Sequence, residues 1–221
     1  MDETIALIDS EFRAFVGAED FPCLAGKGTV RRGGHEVGAF GALGSRSATR
    51  RLAGALRTFV DGCPADGAGL RAFVAVFPDR VPANEIDFER RLWQQLQRLH
   101  ELDELAESWD PTVSDDPEHA EFAFSFASRA LFVVGLHPAS SRLARRFRWP
   151  ALVFNPRAQF ARLRVEGTFE RLRTAVRKRD LDLQGSLNPN LADFGEQSEA
   201  RQYSGRATEA EWRCPFHRKE G

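Results

Sequence analysis

The sequence predicts an α+β fold, a small, mainly antiparallel sheet packed with several helices in a single domain. Apolar residues recur at helical spacing in several separate stretches. A period-two run, Phe122, Phe124 and Phe126, marks a half-buried strand, and the apolar runs 70–77, 131–136 and 152–154 have strand length with turn residues beside them. The 221 residues, 42% hydrophobic, suffice for one sizeable core. One domain is therefore expected over 1–221, its core spanning 5–216.

In chain order, Ile5, Ile8, Phe12, Phe15 and Val16 define an amphipathic helix that ends near Gly17 and leads into Phe21-Pro22-Cys23. The glycine-rich stretch 26–44 is weakly patterned and reads as a loop folding over a site. Ser47 is placed to cap a helix with Leu52, Leu56, Phe59 and Val60 inward, stopped by Gly62 and Pro64. Leu70 to Phe77 is a buried strand closed by Pro78. Asn84 caps a long helix that turns Phe88, Leu92, Leu96, Leu99 and Leu102 to the core. The phenylalanine strand, a turn at Ser128-Arg129 and the strand 131–136 make a hairpin, and Leu152-Val153-Phe154 is a further strand. A helix follows from Ala158, with Phe160, Leu163, Phe169, Leu172 and Val176 spaced around Gly167, and the last few residues are expected to fray. No internal repeat or low-complexity segment points to a solenoid or a linker.

Composition narrows the function classes. The net charge is -1, which gives no global attraction for nucleic acid, although the cations are mostly Arg, whose forked donors suit carboxylates and phosphates. Three cysteines, Cys23, Cys63 and Cys214, show no paired zinc or redox spacing and do not make a disulfide framework. No stretch has the ~20 apolar residues of a membrane span, and no basic segment leads into an apolar run at the start, so the cytoplasm is the expected location. Phosphate-loop, dinucleotide-fold and hydrolase-elbow motifs are absent.

The residues that could carry chemistry lie mainly in the second half. The strand 132–136 delivers His137 to Pro138, which breaks the ladder and would leave the imidazole exposed at a strand end. An imidazole there serves as a haem or metal ligand, as an acid-base group, or simply as a hydrogen-bonded strand terminator. Arg142, Arg145, Arg146 and Arg148 follow closely enough to clamp carboxylates or phosphate. Cys23 and Cys214, each beside Pro and Phe, are either small buried hydrophobes or thiolate ligands. Glu199, Arg201, Gln202, Tyr203 and Arg206 form either a self-satisfied polar network or a site in which Glu199 is the anion for a guanidinium or amine and Tyr203 a donor. Asp115 and Asp116 are second anions for a cationic substrate. His35, His100, His119 and His217 have no chemically notable neighbours in sequence.

Taken together, Phe21-Pro22-Cys23, Gly135-Leu136-His137-Pro138 with Ser141-Arg142, Phe154-Asn155-Pro156, Gln159-Phe160, Arg179-Asp180, Gln184-Gly185-Ser186, Asn188-Pro189, the run 198–206 and Trp212 with Cys214-Pro215-Phe216 resemble the YqcI/YcgG family. The resemblance extends from Phe21 to Phe216. It implies a haem b protein, because family members include haem-dependent oxygenases that hydroxylate a guanidine nitrogen in guanitoxin and D-cycloserine formation. Family sequences commonly place His after the Asn-Pro pair, where this chain has Arg157. The resemblance therefore implies His137 as the iron ligand, with Cys214 and Cys23 as alternatives, and Arg142, Arg145, Arg146, Arg157 and Arg206 as haem contacts. It further implies Glu199 and Tyr203 in catalysis and Glu199, Gln202 and Asp115 at a small cationic substrate such as L-arginine. Dioxygen and an electron donor would be the other partners, with neither nucleic acid nor membrane involved. A second reading is a haem-binding carrier or sensor whose iron is held by two protein ligands, and a third is a metal-free module that uses its Arg-rich surface on phosphate or nucleic acid, against which the net charge near zero counts.

Overall fold

The computed structural model describes residues 3–193 and 195–218. The last three residues, where fraying is expected, lie outside that range. Its elements are α1 (Glu3–Gly17), α2 (Leu24–Arg31), β1 (His35–Ala39), α3 (Arg46–Asp61), β2 (Ala72–Val76), α4 (Glu85–Asp103), β3 (Phe124–Phe126), β4 (Arg129–Leu136), β5 (Ala151–Pro156), α5 (Ala158–Val165), α6 (Phe169–Gln184) and α7 (Ala200–Tyr203). The strands form one sheet in the order β1, β2, β5, β4, β3. Only β1 and β2 run parallel, and the α+β class with a mainly antiparallel sheet stands.

Helices cover both faces of the sheet. On one face, α3 and α4 bring Leu52, Leu56, Phe59, Leu92 and Leu96 against Phe73, Phe77, Leu131, Val133, Leu152 and Phe154, and the C-terminal Phe216 closes the cluster. On the other, α1 and the segment around Phe147 pack on Ala72, Val74, Val76, Leu136, Ala151 and Val153. The alternation follows from the register: Val74 stands opposite Val153 and Phe73 opposite Phe154, so each pair shares a face. No described helix is long and apolar enough to cross a membrane.

Caps explain several boundaries. Asn84 accepts from the Asp87 N–H and starts α4, as the sequence predicts, whereas α3 is capped by Ser45, which accepts from Ala48, rather than by Ser47. The stretch 26–44 is corrected from loop to structure. The Cys23 side chain accepts from Gly26 N–H and opens α2, and β1 finds its ladder 37 positions away, His35 pairing with Ala72. Local patterning could not show that partner, because a short edge strand containing Gly38 has little alternation of its own. The hairpin turn falls at Ala127 and Ser128, both with positive φ, as tight turns between twisted strands require. Asp103 at the end of α4 accepts from Ala127 N–H at 2.8 Å and steadies it. The expected helix from Ala158 is two helices, broken where Gly167 adopts φ 68°.

Candidate functional site

A largely apolar chamber of about 280 Å³ lies between the sheet and the helices α1, α2 and α6. Its apolar walls include Phe12, Phe21, Phe132, Val134, Leu136 and Val153. Its polar members include Cys23, His35, Arg142, Arg145, Asn155 and Gln202, with Arg177 and Asp180 from α6. The volume sits at the lower edge of the ~300–1,000 Å³ found for ligand pockets. Among the residues of α6, only Asp180 is buried, so that wall is the one least anchored by apolar packing.

The arginines differ in what holds them. Arg142 donates to Asp180 Oδ2 at 2.5 Å and to the Ser186 carbonyl at 2.7 Å. Arg145 donates to the carbonyls of Gly135, Gln202 and Tyr203 at 3.1 to 3.4 Å, and burial lowers its guanidinium to about 10. Carbonyls neutralise no charge, so Arg145 is the chamber's strongest attraction for an anionic group. Arg146 and Arg148 point elsewhere, to Ser140 and Glu11. Arg206 is engaged with the buried Glu89, donating from Nη2 and Nε to the one oxygen Oε2 at 2.8 and 3.1 Å.

A smaller recess of about 160 Å³ adjoins the chamber, with Phe132 and Gln202 in the walls of both. It is lined by two carboxyls, Glu199, only 7% exposed, and Asp193, which pairs with Arg173 and Arg177. One Glu199 oxygen receives a long bond from Arg157 Nε at 3.4 Å, and the other is buried without a hydrogen-bond partner among the described residues. Burial raises the Glu199 carboxyl to about 7 against the pull of Arg157 and Arg164. The sequence reading grouped Glu199 with Gln202, and the fold brings to them Arg157, which the family resemblance had offered as a haem contact. Arg164 also lines the recess, its guanidinium 3.9 Å above the Phe169 ring, and sequence reasoning missed it.

His137 is not at this site. It is 1% exposed instead of lying open at a strand end, and its ring stacks on Phe88 of α4, centroids 4.2 Å apart. The reason is the residue's parity. It continues the side of β4 that holds Leu131 and Val133 in the α3/α4 core, while Val134 and Leu136 face the chamber. The neighbouring Gly135 permits the close approach, since a side chain there would meet Phe88 at 2.6 Å and the Tyr203 carbonyl at 2.8 Å. Burial lowers the imidazole to about 4, and neither ring nitrogen has a hydrogen-bond partner among the described residues.

Tyr203 is likewise structural: wholly buried, its hydroxyl accepts from Phe124 N–H at 3.0 Å and faces the Leu131 carbonyl at 3.5 Å. Asp115 pairs with Arg218 in a separate groove of about 970 Å³, which also contains Asp116, Glu118 and Cys214. Burial pushes the Cys214 thiol far up. Neither Asp115 nor Cys214 reaches the chamber. Cys23 does, but its sulfur accepts the Gly26 N–H at 3.3 Å and burial raises its thiol, which makes it a protonated helix cap.

The chamber holds a histidine that the sequence gave no reason to select. His35 Nε2 lies 2.7 Å from Asp9 Oδ1, and the pair spans 26 positions, a separation that no local motif reveals. The fold and site define a single-domain α+β protein with a polar-edged internal chamber. The profile of the YqcI/YcgG family matches residues 12–217, and the chain belongs to that family. No curated protein and no solved structure matches the chain.

Proposed function

We propose that this member of the family is a haem-dependent oxygenase that N-hydroxylates a small guanidine or amine, with the chamber as the cofactor site and the Glu199 recess as the substrate site. The observation that carries the reading is the junction of the two spaces: an apolar chamber with cationic edges shares Phe132 and Gln202 with a recess containing a buried, half-partnered carboxylate. The polarity of the lining suits a haem, although the space is smaller than one. Phe12, Phe21, Phe132 and Val153 offer apolar walls, Arg145 offers a cation beside the Arg142–Asp180 pair, and His35 offers an imidazole. A macrocycle exceeds the volume described, so the lightly anchored α6 wall would have to move outward on loading.

When bound, haem iron would supply the activation of dioxygen. The chain's own residues do the rest. Glu199 Oε2, left without a partner, takes an N–H of the substrate, and that contact favours the ionised carboxylate. Arg157 and Arg164 place positive charge in the same recess, so a simple cation is opposed there, whereas a molecule with both a carboxylate and a guanidinium, such as L-arginine, satisfies both signs. Phe132 forms the shared apolar wall and keeps water from the junction.

The test combines spectra and turnover. Protein loaded with haem should show a Soret band that shifts with carbon monoxide, arginine-stimulated oxygen uptake and hydroxyarginine as a product. Glu199→Gln should retain the band and lose at least ten-fold in turnover. A bound haem whose low-spin spectrum ignores carbon monoxide would instead establish the carrier or sensor reading, and absence of haem binding would sink the oxygenase.

A further inference from the structure

We infer that the chamber, at the size it has in this structure, is a binding site for a medium-chain monocarboxylate of about eight to ten carbons, its carboxylate held by Arg145. The inference does not rest on the haem reading, because it concerns a ligand that fits without movement of α6.

Arg145 is a cation with donors to spare. A guanidinium carries five N–H groups. In Arg145, Nη1 donates to the carbonyls of Gly135 at 3.1 Å and Tyr203 at 3.4 Å, and Nη2 to that of Gln202 at 3.2 Å. The Nε–H and one Nη2–H are left without a partner among the described residues, and together they make the fork that a carboxylate bridges. Nε remains reachable, whereas His35 Nδ1 is closed off. The three carbonyls fix the plane of the group. Its stem lies against Gly205, where a side chain would meet Arg145 Cγ at 3.2 Å, so the fork is held in place before any ligand arrives.

The other charges of the wall are already matched. Arg142 pairs with Asp180 at 2.5 Å, Arg177 with Asp193 at 3.5 Å, and His35 with Asp9 at 2.7 Å. The chamber therefore offers one unmatched positive charge, which suits a carboxylate better than a phosphate of nearly two negative charges. Most of the remaining wall is apolar, with Phe12, Phe21, Val30, Val134, Leu136 and Val153. An apolar cavity of ~150 Å³ takes a benzene, so one of about 280 Å³ has room for about eleven non-hydrogen atoms. That is the size of a carboxylate with a tail of eight to ten carbons in all. Burial of the tail supplies the affinity, and Arg145 sets the orientation.

The experiment is calorimetric titration of the full chain with decanoate, 1-decanol and tetradecanoate. Decanoate should bind once per chain, whereas decanol, which lacks the charge, and tetradecanoate, which exceeds the space, should bind at least about ten-fold more weakly. Arg145→Met keeps the stem and removes the fork, and should weaken decanoate binding by at least about ten-fold. No decanoate binding, equal affinity for either control, or an Arg145→Met variant that binds like the native protein would overturn the inference. If Arg145→Met does not fold, Val134→Phe decides, since it fills the chamber without touching the fork: decanoate bound as tightly as by the native protein overturns the inference, and lost binding supports it. Haemin added to the same samples separates this inference from the haem reading. Decanoate bound and haemin refused keeps the inference and ends the oxygenase. Haemin bound with an apparent affinity that decanoate does not lower overturns the inference alone.

Discussion

On one face of the sheet, α3 and α4 close over Phe73, Phe77, Phe124 and Phe154, and on the other α1, α2 and α6 leave a chamber above Val134, Val153 and Asn155. The strands are the same and only the parity of the side chains differs. The sealed face is filled by large rings, which occupy volume without polar atoms. The hollow part of the other face presents Ala72, Val134 and Val153 from the strands and meets Arg177 and Asp180 from α6, groups too small or too polar to fill an apolar space. The contrast separates two histidines that a sequence cannot rank: His137 belongs to the packed side and His35 to the open one.

The comparison breaks first on packing. Phe88→Ala should cost ~3–5 kcal/mol in urea unfolding, because it empties a filled site. Val134→Ala, on a wall that already borders a void, should cost under about 1.5 kcal/mol. Equal losses would mean that the two faces are packed alike.

A pH series sharpens it next. The His137 imidazole, lowered by burial to about 4 from 6.5, charges more readily when unfolded. Its contribution is whole above pH 6.5 and is lost as pH falls through about 4, an effect of ~3 kcal/mol. His137→Phe should flatten that part of the stability profile, and an unchanged slope would place the imidazole in water.

Glu199 has the opposite sign. With its carboxyl raised by burial to about 7 from 4.5, its contribution is whole below pH 4.5 and is lost as pH rises through about 7, by ~2–3 kcal/mol. Glu199→Gln should remove this decline and be the more stable protein at pH 8. Added arginine should stabilise the native protein at pH 8 and leave the variant unmoved, measured by thermal unfolding. The smallest effect concerns the α2 cap: Cys23→Ala should lose ~1 kcal/mol in urea unfolding, and Cys23→Ser, whose oxygen can accept the same N–H, should lose less.

Much of the fold was legible. The spacing of Phe12 and Val16, the Asn84 cap and the alternation of Phe122, Phe124 and Phe126 are local signals, and α1, α4 and β3 follow from them. The recess was legible in part, because Glu199 and Gln202 lie within one short helix and its cap, although their contact with Arg157 at the start of α5 joins distant segments. Tyr203, four residues beyond Glu199, was read as a chemical group and proves to be a buried prop for β3 and β4.

By itself the sequence determined most of the helices and strands, though not α2 or β1, the family, and a polar carboxyl-terminal region rich in paired charges, since period, caps and motif order act over a few residues. Tertiary structure alone decided that β1 exists, that His137 turns into the core, and that Asp9 meets His35 to equip the chamber. Those outcomes depend on strand register and on which face each residue takes. Both are fixed by partners tens of positions away, whose burial no local pattern records.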